Sequence, residues 1–184
     1  LQLSILFLAA VVLGGTGTKQ MLVRAVGPTL ASFSVSGALA DPRLSLLNGS
    51  TIVETNDNWL AIDAATMARV GAFTLSVASK DAALVATLSP GAYTAPVTVS
   101  DNGSGVTLLE VYDASTLGTI SVVNASTRAF VGTGDAVLIP GFVISGTGTL
   151  RLLIRAIGPA LARFGLDGVL ADPTITVYRG STVL

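Results

Sequence analysis

Short apolar runs rich in Val, Ile, Leu and Thr alternate along this chain with clusters of Gly, Pro, Asn, Asp and Ser. The clusters recur every roughly ten residues, the spacing of a sheet protein with many short strands. The pattern predicts strands over 4–13, 20–26, 43–47, 51–55, 82–88, 92–100, 106–112, 119–124, 136–144, 151–157 and 174–178. Asp101-Asn102-Gly103-Ser104-Gly105 places residues tolerant of positive φ between two strand patterns, which predicts a hairpin; Ser89-Pro90-Gly91 predicts a second turn. Two helical pieces interrupt the strands: 28–33, with Pro28 near its first position, and 63–70, capped by Asp63. Both are too short to persist without packing. The fold expected is mainly β: an antiparallel β-sandwich, jelly-roll-like, with one or two short helices.

The pattern also repeats itself. Residues 15–53 return as 146–184, 131 residues later and without a gap, with 20 of 39 positions identical. Most of the differences exchange one aliphatic side chain for another. Leu22-Val23-Arg24-Ala25-Val26-Gly27-Pro28 matches Leu153-Ile154-Arg155-Ala156-Ile157-Gly158-Pro159, and Leu39-Ala40-Asp41-Pro42 matches Leu170-Ala171-Asp172-Pro173. The 28–33 turn accordingly recurs at 159–164. A recurring unit usually stacks or pairs with its own kind. The expected organisation is a first sandwich unit over 1–131 and a partial second repeat over 132–184 that matches 1–53. The partial copy is expected to pair with the first unit or with a neighbouring subunit.

Composition sharpens this expectation. Hydrophobic residues make up 51% of the chain, charged residues 11%, and mean hydropathy is +0.74. A soluble domain ordinarily carries about 25% charged residues. Apolar surface in excess of what one small unit can bury points to association with a partner. The net charge of -1, with Lys and Arg scattered, gives no basic stripe for phosphates and argues against nucleic acid as a partner. The longest apolar run, Ile5 to Leu13, is far shorter than the ~20 residues of a membrane-spanning helix, so no membrane span is expected. No positive residue precedes it, as one would in a signal peptide. Residues 7–13 align with the interior segment 138–144, which favours a core strand over a leader.

Candidate chemistry is sparse. There is no His and no Cys, which removes the usual general base, the His-dependent nucleophiles, the common zinc ligands and any disulfide framework. Two Glu, Glu54 and Glu110, leave a two-carboxylate glycosidase formally open. Solvated strand and turn positions account for them more simply, and the chain is expected not to be an enzyme and to carry no cofactor. Gly14-Gly15-Thr16-Gly17-Thr18-Lys19 resembles a phosphate loop only superficially: its spacing is wrong and the second copy has Leu150 where Lys19 stands. A tight turn explains both copies. Asn56, Asp57 and Asn58 offer closely spaced oxygens for Ca²⁺, although an Asx-rich turn buttressed by Trp59 is the plainer account. Trp59 and Tyr93 are the candidates for a sugar-stacking platform, with carbohydrate as the implied partner. Arg24 with Asp41 and Arg155 with Asp172 are charges both copies keep in apolar surroundings. They are expected to form one structural ion pair in each copy.

The strings Leu22–Phe33, Leu39–Leu44, Thr55–Trp59, Ser79–Leu88 and Gly91–Thr94 together resemble a tandem repeat of very large secreted or surface proteins of bacteria. The resemblance implies an extracellular location and a β-rich tandem architecture, and it carries no catalytic residues. A second copy cut at Leu184 would leave unpaired edges and an open apolar groove. The simplest filler is another copy of the chain, joined head to tail by strand donation into a pilus-like filament. The expected assembly strand is the N-terminal run with Ile5, Leu6, Phe7, Leu8, Val11, Val12 and Leu13, or alternatively the 146–184 block. A carbohydrate-binding adhesin module is the alternative function.

Overall fold

The run from Lys19 to Val26 carries apolar side chains on both of its faces, which suits a strand covered on both sides. In the structure, a computed structural model that describes residues 7–100, 103–116, 119–134, 136–144 and 147–184, this run forms β2 (Lys19–Val26) and is almost wholly buried. Further along the chain come β3 (Pro42–Asn48), β4 (Thr51–Asn56), β5 (Ala82–Leu88), β6 (Gly91–Val99), β7 (Leu108–Asp113) and β8 (Ser121–Arg128), with β1 (Phe7–Gly14) preceding β2. β2 is the centre of a three-stranded antiparallel sheet, between β5 and β7. A five-stranded antiparallel sheet has the order β4-β3-β6-β1-β8.

Alternation along each strand then builds two cores. Met21, Val23 and Ala25 of β2 meet Leu13, Leu44, Leu46, Leu84, Tyr93 and Val97 in one cluster between the two sheets. Leu22 and Val26, on the opposite face of β2, join Leu30, Met67, Leu75 and Ala83 in a second. That outer cluster is roofed by the 3-10 turn Pro28–Phe33, by α1 (Ala64–Arg69) and by the loop after it. The architecture is the antiparallel sandwich that the strand pattern predicts, with a helical cover on the smaller sheet.

The turns behave differently from the expectation. Among the described residues of the first unit, only β3 and β4 are both consecutive in the chain and neighbours in a sheet; every other step there crosses between sheets. Ser89-Pro90-Gly91 and the 101–105 segment, part of which lies outside the described residues, therefore serve crossings rather than hairpins. Residues that allow a sharp reversal also allow a corner between layers, so turn composition does not separate the two.

The chain divides into two compact units, Leu1–Phe130 and Val131–Leu184. In the second, the 3-10 turn Pro159–Phe164 is followed by a short hairpin of β9 (Tyr178–Arg179) and β10 (Thr182–Val183). The described parts of 136–144, and 151–157, form no strand. The 174–178 expectation is met only at Tyr178. An extended segment becomes a strand when a neighbour supplies its hydrogen bonds, and among the described residues these have none.

Candidate assembly surface

The 39-residue block that occurs twice has its first copy in full structural context. β2 contributes Arg24, whose side chain is completely buried in the outer cluster. Its Nε donates to Glu110 Oε2 at 2.9 Å, and Nη2 donates to the same oxygen. Nη1 donates to the Phe73 carbonyl at 2.7 Å, and the guanidinium carbon lies 4.4 Å from the centre of the Phe73 ring. Arg24 and Glu110 face each other across the β2–β7 ladder. Tyr112 donates its hydroxyl to Glu110 Oε1 at 2.7 Å. Burial first, and then the bond to Glu110 and its charge, push the Tyr112 pKa up to about 12, against an opposing pull from Arg24.

Asp41 is the partner expected for Arg24, and here the structure corrects the expectation. Asp41 instead accepts from Lys80 Nζ at 2.5 Å, near the start of β5. The reason is positional: Asp41 precedes β3, in the other sheet, whereas Glu110 sits directly across the ladder from Arg24. Lys19, also buried, pairs with Asp113 Oδ2 at 2.5 Å. Burial pushes the Asp113 carboxyl up, but the bonds from Lys19 and Ser115 outweigh it and hold the group below the usual carboxylate value.

A further buried carboxylate is one that sequence reasoning does not single out. Asp81 accepts from the Gly27 N–H at 2.7 Å, the Thr29 N–H at 3.3 Å and Ser79 Oγ at 2.5 Å, and also from the Thr29 hydroxyl. It thereby satisfies the free donors at the start of the 3-10 turn, which has no side-chain cap of its own. Its place just before an apolar run is the available signal, together with Glu110 alone inside the apolar run Leu108 to Tyr112.

The second copy keeps the local backbone of the first. Gly27 packs so closely that an added Cβ would stand 2.1 Å from the Leu39 carbonyl oxygen; at Gly158 the same clash is with Leu170, at 2.2 Å. Both 3-10 turns end in a left-handed residue, Ser34 (φ 61°) and Gly165 (φ 73°). The β9–β10 pairs, Tyr178 with Val183 and Arg179 with Thr182, reproduce Leu47 with Ile52 and Asn48 with Thr51. Burial separates the copies. Leu22 is 0% exposed and its counterpart Leu153 84%; Leu44 is 0% exposed and Ile175 52%. Ile154, Ile157, Phe164 and Leu170 are exposed as well. Arg155 and Asp172 are both exposed, and among the described residues they form no ion pair. An apolar face of this extent, on a backbone already shaped for packing, is a candidate assembly surface.

The other candidates separate in space. Ile5 and Leu6 lie outside the described residues. The remainder of the expected assembly strand, Phe7, Leu8, Val11, Val12 and Leu13, belongs to β1, which is paired on both sides by β6 and β8. Its backbone bonds are spent inside its own sheet, which corrects its assignment as a donor. Asn56 Nδ2 donates to the Asn58 carbonyl, Asn56 Oδ1 accepts from the Ala83 N–H, and Asn58 Nδ2 donates to Asp57 Oδ1. The Asn56 oxygen ties the end of β4 to the start of β5, the other two bonds stay within the turn, and no group of three His, Cys, Asp or Glu gathers among the described residues. Tyr93 is buried between the sheets and donates to the Ser89 carbonyl at 3.0 Å. Trp59 packs on the other cluster, with Nε1 donating to the Ser76 carbonyl and Ser79 Oγ, each at 3.2 Å. The two aromatics do not form one platform. Trp59 lines a cleft of about 290 Å³ whose other walls are Ala64, Met67, Ala68, Ala72, Thr74 and Leu75, apolar apart from one hydroxyl. Glu54 and Glu110 likewise share no site: burial and the neighbouring Asp63 raise the Glu54 pKa, while Glu110 is committed to Arg24. Among the described residues no helix is long and apolar enough to cross a membrane.

No match to the chain was found among protein-family models, curated proteins or solved structures.

Proposed function

We propose that this protein is a non-enzymatic structural subunit of an extracellular bacterial filament or surface array, whose copies join head to tail by β-strand complementation. One observation carries the proposal: the second block repeats the turn, close approach and hairpin register of the first while exposing the side chains that the first buries. Covering Leu153, Ile154, Ile157, Leu170 and Ile175 is worth at most roughly 1.5–3 kcal/mol for each side chain. The low charge of the chain, 11%, suits a protein that works in contact with its own kind. Because the acceptor lies in one unit and its complement in another, contacts between copies are heterologous and propagate unless the rotation closes.

The test is light scattering and electron microscopy of the full chain at neutral pH over a wide concentration range, beside a Leu153→Asp, Ile157→Asp variant. The unaltered chain is expected to form ordered assemblies and the variant to stay dispersed, with the unfolding transition of the first unit unchanged. A monodisperse monomer at every concentration overturns the proposal.

A further inference from the structure

The first unit shows what covers this block. β2 is flanked by β5 and β7 and roofed by Met67, Phe73 and Leu75. All of these come from residues 54–131, the part of the chain that occurs once. Of the side chains that meet that segment, the second copy keeps Leu22 as Leu153, Arg24 as Arg155, Leu30 as Leu161 and Asp41 as Asp172, has Ile157 for Val26, and replaces Lys19 and Thr29. Residues 1–184 hold two copies of the block and one copy of the segment that covers it, 54–131.

We infer that the groove formed by 54–131 in one copy of the chain accepts the 146–184 block of a second copy in exchange for its own 15–53 block. The inference rests on the self-assembly proposed above and adds the partner segment and its register. In that register Ile154 stands opposite Val111 and Arg155 opposite Glu110, as Val23 and Arg24 do in the first unit. Arg155 then enters the socket of Glu110 and the Phe73 carbonyl, and Asp172 meets Lys80 as Asp41 does.

The two blocks are unequal ligands. Leu150 stands where Lys19 pairs with Asp113. Ala160 stands where Thr29 donates to Asp81 and accepts from the Ser76 N–H. With one ion pair and one buried hydroxyl missing, each worth on the order of tenfold, the resident block holds the groove about a hundredfold more tightly. Exchange between copies is consequently concentration-dependent and waits on release of the resident block.

The chain has no Cys, so engineered thiols report unambiguously. Full-length Val111→Cys and Ile154→Cys proteins are mixed and gently oxidised, with Val123→Cys, more exposed and on β8, replacing Val111→Cys as the control. Cross-strand Cβ atoms about 4.5–5.5 Å apart are close to disulfide geometry. The expected result is a covalent heterodimer forming at least tenfold faster with the Val111→Cys partner than with the Val123→Cys control. Adding Leu150→Lys and Ala160→Thr to the Ile154→Cys chain is expected to raise the linked fraction further, by up to a hundredfold, by making the second block match the first. Equal rates with the two partners, no response to those substitutions, or only an intramolecular disulfide in a Val111→Cys, Ile154→Cys double variant would each overturn the exchange. If light scattering still shows assemblies in those cases, self-assembly stands and only this register falls. A monomeric chain throughout removes both.

Discussion

Residues 15–53 and 146–184 carry nearly the same local instructions and reach different ends. Both make the 3-10 turn, the left-handed residue that closes it, the close glycine approach and the tight hairpin. Only the first makes a full strand from the run that precedes the turn. Turns and short-range contacts follow from sequence within a few residues, whereas a strand is a property of at least two segments. The first block has β5 and β7 to complete it, and its Arg24 is buried; in the second, Arg155 is exposed.

The comparison breaks most visibly at that arginine. Arg24→Met leaves Glu110 without its guanidinium and the Phe73 carbonyl without its donor, and is expected to destabilise the first unit by about 3–5 kcal/mol. Arg155→Met should change stability by less than about 0.5 kcal/mol, as an exposed substitution does, while weakening assembly. Urea unfolding of the two variants side by side is the measurement; equal small losses would show that the buried pair does not hold the first unit together.

Converting one block toward the other gives a smaller effect. Thr29→Ala installs the residue found at Ala160 and removes a hydroxyl that bonds Asp81 and the Ser76 N–H. The expected cost is about 1–3 kcal/mol, because the buried Asp81 carboxylate loses a donor and the Ser76 N–H its acceptor. The reverse change, Ala160→Thr, should leave the stability of the isolated chain unaltered, since that side is exposed. A drop in midpoint for both would mean that the second block already sits against a complement.

The pH dependence should also belong to the first block. Tyr112 has its folded pKa raised from 10.0 to about 12. The folded state therefore favours the neutral phenol, a contribution fully present below pH 10 and lost as pH rises toward 12. Asp113 has its folded pKa lowered, so its contribution is present at neutral pH and is lost as pH falls through the carboxylate range. Both groups are partly solvated, so the effects are modest. Thermal midpoints at about pH 9 and about pH 11.5, on either side of the ordinary phenol value, should differ less in Tyr112→Phe than in the unaltered chain, and Lys19→Leu should flatten the acid limb. An alkaline limb of the same size in Tyr112→Phe would assign it to other groups.

How much of this is legible in the sequence follows the same division. The apolar runs mark β2, β5 and β6 closely, and Pro28 marks the 3-10 turn in both copies. The repeat marks which charges matter, Arg24 among them, but not their partners. Asp41 suggests itself for Arg24 because both copies keep it, and an internal repeat cannot point to a partner in the unrepeated middle. Glu110 and Asp81 both lie there. Turn composition locates the chain reversals without saying which sheet the chain enters next. Tyr93 and Trp59 are comparable aromatics in sequence; only the pairing of β6 with β1 and β3 puts the first between the sheets and leaves the second beside the helical cover.

The smallest difference between the copies is one residue that closes the 3-10 turn. Ser34 holds φ 61°, a left-handed conformation that costs a non-glycine residue roughly 1–2 kcal/mol, and the second copy has Gly165 at the same place with φ 73°. Glycine enters that region freely but loses more backbone entropy on folding, a partial offset of about 0.5–1 kcal/mol. Ser34→Gly should then stabilise the first unit by about 0.5–1 kcal/mol, with Gly165→Ser costing the second turn a similar amount. Ser34 is exposed and its backbone N–H bonds the Ala31 carbonyl at 3.1 Å, which glycine retains. No packing is lost, so the change isolates backbone conformation from everything that distinguishes a covered block from an open one. A Ser34→Gly chain less stable than the original would show that the turn is held by its surroundings and not by its own residue, which would make the second copy's matching geometry harder to explain without a partner.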